Sequence, residues 1–423
     1  MKLSSESAAL PPLPLGGSLR VPLYSSFPPR FLDNTVMGFL WIFVFALPTD
    51  LHLSDTLSLT LPVGSLCILL GTLGVVKRRA IIAIPFGFWC LIAFVTWSTC
   101  TVVWAAYPDY IEEKLIKYWE FLPLCFVMTQ FAYDRRGRMH LLNAYLTGCW
   151  LGVLGVFFHF ATGHEFFTPA ANELTSRYSF GTDANFLALA LVIGAGIAWH
   201  HIYSECKRWK RLLSLLYLPA AFLAIGLTGS RGALIALLAA VLTFALFSDL
   251  RRRIATLAGT TAILALTLAL PLSFTWRLST TTQDVRYGTL DGRTTVWNEG
   301  LILFGEHPLC GLGAGATKGA LPMVAHNTPL ELLIEGGLIS VGLFYGGLAH
   351  SIYRITSIAS QERTLLIVIC SALLVGTFAL SWDAQCTTWF VYTLLSSAGS
   401  VRLRVQSATD FLGSVLKDAA STP

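Results

Sequence analysis

Charge is what this chain has least of. Only 13% of its 423 residues are Asp, Glu, Lys or Arg, against about 25% in a soluble globular chain. That deficit, with 54% hydrophobic content and repeated apolar runs of about 18–22 residues, excludes an ordinary water-soluble domain and predicts a polytopic helical membrane protein. There is no C-x-x-C pair. The nine cysteines, at 67, 90, 100, 125, 149, 206, 310, 370 and 386, lie mostly inside apolar runs. They read as small buried hydrophobes, neither a disulfide framework nor a zinc site. Residues 1–30 lack a basic segment followed by an apolar core, so no cleavable signal is expected and the first span targets the chain. No internal repeat and no long low-complexity tract stands out.

What is present is a regular succession of apolar stretches. They fall at 34–50, 57–76, 80–103, 115–133, 140–162, 184–204, 212–228, 232–248, 254–275, 329–353, 364–382 and 386–401. An all-α protein with about twelve transmembrane helices is predicted. Basic clusters follow every second span: Lys77 to Arg79, Arg135 with Arg136 and Arg138, Lys207 to Arg211, Arg251 to Arg253, Arg354 with Arg363, and Arg402 with Arg404. The other short loops hold almost no Lys or Arg, Arg177 and Lys114 excepted. Positive charge stays cytoplasmic, so both termini are expected inside. Residues 1–30 and 405–423 become cytoplasmic tails flanking a membrane domain over 31–404. One long loop, 276–327, joins spans 9 and 10 on the outer face. It holds Arg277, Arg286, Arg293 and Lys318 against Asp284, Asp291, Glu299 and Glu306, which excludes a basic nucleic-acid patch. Its centre reads as a helix and a Gly-rich turn, a structured lid.

Spans 6, 8 and 10 all start on that outer face, each beside a conspicuous polar residue: Arg177, Arg231 and His326. In AHNTPLELLIEGG, at 325–337, Thr328 is the expected N-cap, with Pro329 first in the helix and Glu331 closing a capping box. His326 and Asn327 then stand at the positive end of a helix dipole, where an anion is favoured and an imidazole stays neutral. Arg231, in TGSRGAL, is held so near hydrocarbon that it must pair or snorkel. Arg177 and Arg293 are weaker candidates. Glu335, deeper in the same run as His326, is expected to face a cavity or another helix and to support the site. Glu120 has the same ambiguity. His200, His201 and His350 are expected at span ends, as interfacial residues, and His307 as structural. No second acid stands at a spacing suited to paired carboxylates, and acids are sparse on the outer face, so no metal site is expected.

Four stretches carry a likeness. RYSFGTDAN at 177–185, TGSRGA at 228–233, GRTTVW at 292–297 leading to HPLCGLG at 307–313, and HNTPLE at 326–331 occur in that order. Together they resemble the O-antigen ligase and polymerase superfamily over residues 177–342. The ligase pattern of His, a small polar residue, nine residues, Gly, two residues and Gly is met by His326, Asn327 and Gly337. Ser340 stands where the last glycine is expected. The resemblance implies a GT-C-like, metal-independent inverting glycosyltransferase without cofactor, at the periplasmic side of a Gram-negative inner membrane. Its donor would be a glycan on undecaprenyl diphosphate and its acceptor a sugar hydroxyl of lipid A–core oligosaccharide. It makes His326 the candidate base, Arg177, Arg231, Arg293 and Asn327 candidates for the diphosphate, and Glu335 and Asn185 their supports. The alternatives are a polymerase using the same donor and a polyprenyl-glycan transporter. A transporter would carry ionisable residues near the bilayer midplane and two matching halves, and the sequence shows neither.

Overall fold

The computed structural model describes residues 31–54, 57–78, 84–164, 177–204, 206–269 and 292–398. The tails, Arg277 and Arg286 lie outside the described residues. Apart from a short antiparallel pairing of His52–Ser54 with Leu57–Ser58, regular structure there is helical. The helices are α1 (Phe31–Ala46), α2 (Thr60–Arg78), α3 (Phe86–Cys100), α4 (Ile111–Ala132), α5 (Arg135–Thr162), α6 (Ala184–Tyr203), α7 (Arg208–Thr228), α8 (Arg231–Phe247) and α9 (Leu250–Ala269). They continue as α10 (Arg293–Glu306), α11 (Ala316–Ala320), α12 (Thr328–Ile355), α13 (Ser360–Thr377) and α14 (Cys386–Ser397). A helix stands at each of the twelve apolar stretches. Six of them, α3, α5, α6, α7, α12 and α13, are long and apolar enough to cross a membrane; α1, α2 and α8 are apolar but shorter.

α6 is the most deeply enclosed of the six, because its sequence ALALVIGAGIA is made of small and aliphatic residues. A Cβ at Gly194 would stand 2.4 Å from the Tyr217 hydroxyl. Such small residues let helices approach closely enough for dispersion to hold them where no hydrophobic effect operates between spans. α6 packs on α7, α5, α8 and α13, and α3 lies along α12. A second centre is aromatic. Buried Trp389 of α14 meets Phe94, Tyr118 and Phe121 within 6.5 Å, and its indole N–H is satisfied by the Asp383 carbonyl at 2.7 Å.

Some expectations need correcting. Arg138, read as part of a basic loop cluster, is buried. Its Nε and Nη2 donate to Glu362 Oε1 at 2.8 and 2.6 Å, and its Nη1 donates to the terminal carbonyls of α4. His200 and His201 are buried rather than interfacial. Of the cysteines, Cys100 and Cys310 are exposed.

The span read as one helix over 329–353 breaks at Gly337, with φ 67° and ψ −163°. The segment 307–313 supplies the hydrogen bonds that the break removes. Leu312 and Gly313 N–H donate to the Ile334 and Glu335 carbonyls at 2.8 and 2.9 Å. Leu338 N–H donates to the Pro308 carbonyl at 2.9 Å. A Cβ on Gly337 would lie 2.1 Å from the Leu309 carbonyl oxygen, so that position admits only glycine. In a bundle interior such irregular backbone is tolerated because its polar groups are paired by protein.

Candidate functional site

The N-termini of α6, α8 and α12 meet the C-termini of α7 and α13 at one end of the bundle. The caps account for the geometry. Asp183 caps α6 by accepting from Asn185 N–H at 2.8 Å. Gly229 ends α7 in the left-handed conformation, and Ser230 caps α8 two positions before Gly232. Gly232 lies against Ala379, where any Cβ would come within 2.6 Å of the alanine methyl. The capping box at α12 does not form. Asn327 is the N-cap, its Oδ1 accepting from Leu330 N–H at 3.0 Å. Thr328 is already helical, and its hydroxyl donates to the Leu380 carbonyl and accepts from Trp382 N–H, both at 2.7 Å. Glu331 accepts from the Ser381 hydroxyl instead of turning back on the helix start. A tertiary partner thus displaces the local one at both positions.

Three arginines from separate elements line one polar pocket of about 60 Å³: Arg177, Arg231 and Arg293, with Asn185 and the Gly229–Gly232 turn. Arg177 Nε donates to the Thr228 carbonyl at 2.9 Å, and its Nη2 donates to Asn185 Oδ1. Tyr178 N–H donates to the Leu227 carbonyl, so the segment closes the end of α7 and places a cation at its negative pole. Arg293, the first residue of α10, donates from Nη1 to the Ala379 carbonyl at 3.2 Å. Burial, then the neighbouring Arg231, pulls its pKa below the ordinary value, against the opposing pull of Asp183.

His326 takes φ 48°, a strained conformation for a residue with a Cβ; such strain costs of order 1–3 kcal/mol and concentrates at functional sites. Its buried Nδ1 has no hydrogen-bond partner among the described residues. Burial pulls its pKa below 6.5, followed by repulsion from Arg293; Asp183 opposes this and Arg177 adds to it. Burial and the arginines thus favour the neutral imidazole, in the same direction as the helix dipole inferred from the sequence. All of Arg177, Arg231, Arg293 and Asn185 are brought together, with His326 in electrostatic reach of two of the arginines. Asn327 does not line the pocket, its side-chain oxygen being held by the cap.

Glu335 lines a different, larger cavity of about 420 Å³, together with residues 321–325. It pairs with Lys114 Nζ at 2.6 Å and accepts from the Thr317 hydroxyl at 2.5 Å. Lys114 also reaches Asp383 Oδ2 at 2.9 Å, and the Tyr118 hydroxyl donates to the same oxygen at 2.5 Å. Glu331 and Ser381 line the same cavity. Burial pulls the Asp383 carboxyl up, but Lys114 and Tyr118 outweigh it and hold it below the usual range.

The acids on this face are therefore gathered, contrary to the sequence expectation. The 379–383 turn, which the sequence reading passed over, serves as the hub. It accepts from Arg293, seats Gly232, fixes Thr328, and supplies Ser381 and Asp383. Its one signal was an acidic residue in the short break of ALSWDAQ between apolar runs.

Residues 213–345 match the family model described as O-antigen ligase, and this match supports membership of the O-antigen ligase superfamily. The matched stretch holds Arg231, Arg293, His326, Asn327 and Glu335; Arg177 and Asn185 lie ahead of it. No curated protein matches the chain. The matched family implies a glycosyltransferase-like activity, and the six described helices of spanning length agree with a multi-pass membrane protein.

Proposed function

We propose that the protein is an O-antigen ligase that moves a glycan from undecaprenyl diphosphate to a sugar hydroxyl of lipid A–core oligosaccharide. The observation that carries this reading is the pocket lined by Arg177, Arg231 and Arg293 beside a neutral, strained His326. His326 takes the proton of the acceptor hydroxyl as that oxygen attacks the anomeric carbon. The bond from the anomeric carbon to the diphosphate oxygen breaks with inversion, and undecaprenyl diphosphate departs. General-base catalysis of this kind is worth about 10²–10⁴-fold. The guanidinium groups meet the negative charge that grows on the departing diphosphate; being planar forks, they bind two oxygens at once. Preorganised charge in a partly dehydrated site costs no reorganisation at the moment of reaction. The donor is already activated, so neither nucleotide nor metal is required.

In this reading the twelve apolar helices cross a Gram-negative inner membrane in a GT-C-like arrangement. Both termini are cytoplasmic, from the basic clusters between alternate spans, and the site opens to the periplasm. Purified protein with lipid-linked glycan, lipid A–core and chelator, without nucleotide, should yield glycosylated core. His326→Ala should lower the rate at least about 100-fold while still binding donor. A normal lipopolysaccharide ladder from cells carrying only that variant would refute the proposal. Extension of a second lipid-linked glycan in place of the core would assign a polymerase.

A further inference from the structure

An imidazole that acts as a base is usually oriented by a carboxylate or carbonyl on its second ring nitrogen. His326 has no such support at Nδ1, which is buried and bonded to nothing among the described residues. Its backbone also sits at φ 48°. A residue strained in this way persists only where its surroundings over-determine it. The hold on His326 must therefore come through the main chain.

It comes from both sides. Just ahead, the buried Ala325 carbonyl accepts from the Trp297 indole N–H at 2.8 Å. Just after, Thr328 is tied three times to the 380–382 turn. Its hydroxyl donates to the Leu380 carbonyl and accepts from Trp382 N–H, both at 2.7 Å, and its N–H donates to the Leu380 carbonyl at 3.2 Å. The two anchors share a frame with the arginine pocket. Trp297 stands one turn after Arg293 on α10, so both side chains leave the same face. The Arg293 guanidinium reaches the Ala379 carbonyl, one residue before Leu380. The circuit closes: α10 grips the chain ahead of His326 and, through Arg293, the turn that grips the chain after it.

We propose that Trp297 and Thr328 are positioning residues that clamp the His326 backbone and fix its imidazole against the arginine pocket. This rests on the ligase reading and deepens it. Both residues act through His326, and a misplacement of about 1 Å at such a centre costs on the order of 100-fold in rate.

The test compares Trp297→Phe, Thr328→Val and Thr328→Ser in the purified full chain, with lipid-linked glycan and lipid A–core. Phenylalanine keeps a ring packed on the Val296 and Ile334 cluster and removes the indole N–H. Valine keeps the shape of threonine without the hydroxyl, and serine keeps the hydroxyl. In the first two variants kcat should fall about 10- to 100-fold, with KM for donor near wild type; Thr328→Ser should recover most of the rate. The pH midpoint of kcat/KM is a readout that lost folding would not move. Burial, Arg293 and Arg177 pull the His326 pKa down and Asp183 pulls it up. A slack His326 leaves its burial and Arg293, so the midpoint should rise toward about 6.5. Wild-type kcat in both Trp297→Phe and Thr328→Val, or a loss with an unmoved midpoint, overturns the clamp and leaves the ligase reading standing. Diethyl pyrocarbonate labelling with peptide mapping reads the same geometry without transfer. His326 should react faster in both variants relative to exposed His307, and unchanged ratios overturn the clamp. A normal transfer rate from His326→Ala overturns the ligase reading and this inference with it.

Discussion

Replacing Lys114 with methionine probes the charge arrangement lining the 420 Å³ cavity. The ammonium lies 2.6 Å from Glu335 and 2.9 Å from Asp383, with all three side chains at most 13% exposed. Methionine is unbranched and one atom shorter, and leaves two buried carboxylates without a cation. Breaking a buried ion pair in this way costs about 3–5 kcal/mol. An independent bound agrees. The variant can escape by protonating a carboxylate, and taking a group of ordinary pKa near 4 to its neutral form at pH 7 costs about three pH units at 1.36 kcal/mol each, or ~4 kcal/mol. The two routes imply different pH behaviour for the two proteins. In wild type Asp383 is held below its unfolded value, so its contribution is present above about pH 4 and lost only as pH falls through the folded value. In Lys114→Met the compensating cation is gone and burial raises that carboxyl above its unfolded value. The variant then loses stability as pH rises through the raised value, and the gap to wild type narrows toward low pH. Thermal unfolding in detergent at pH 5, 6, 7 and 8 measures this. A loss under about 1 kcal/mol, or a gap that does not shrink between pH 8 and pH 5, would refute the account of the cluster.

Arg231→Lys retains the charge but loses the fork, and transfer should fall by roughly 10- to 100-fold, the value of one hydrogen bond to a charged group; steady-state transfer rates with saturating core decide it. The rate should follow neutral His326, so kcat/KM for donor rises with pH through a midpoint below about 6.5, consistent with the lowered pKa. Bound diphosphate offsets the arginines that repel a proton, so the kcat midpoint should lie higher than that of kcat/KM; the reverse order would contradict the arrangement. Gly337→Ala should destabilise by about 1–2 kcal/mol for its positive φ alone, and more from the overlap with the Leu309 carbonyl oxygen. A melting temperature equal to wild type would show that the break is absent in solution.

The helices and the polar residues at their mouths were legible in the sequence because each is a local signal. A run of apolar residues is its own evidence, and so is an arginine wedged into TGSRGAL. Caps such as Ser230 and Asp183 are local too, since capping requires only near neighbours. Thr328 and Glu331 were misread for the complementary reason. Their pattern fits a capping box, but Leu380, Ser381 and Trp382 compete for the same side chains and win. The pairing of Lys114 with Glu335 and Asp383 joins three separate elements, and nothing in a single sequence brings them together. Gly337 could be seen as a glycine in an apolar run. That it breaks the helix depends on the carbonyls of residues 308 and 309, which come from another part of the chain.

That break has a consequence for how freely the extramembranous part can vary. The 307–313 turn is hydrogen-bonded into the gap at Gly337, so it keeps its position whatever happens to the chain before α10. Residues inserted ahead of Gly292 would leave these hydrogen bonds in register. A single residue added between Pro308 and Gly313 would put every one of those bonds out of step. Tolerance to insertion should therefore end abruptly at Arg293, where α10 begins and the guanidinium is held by the Ala379 carbonyl, well before His326 is reached.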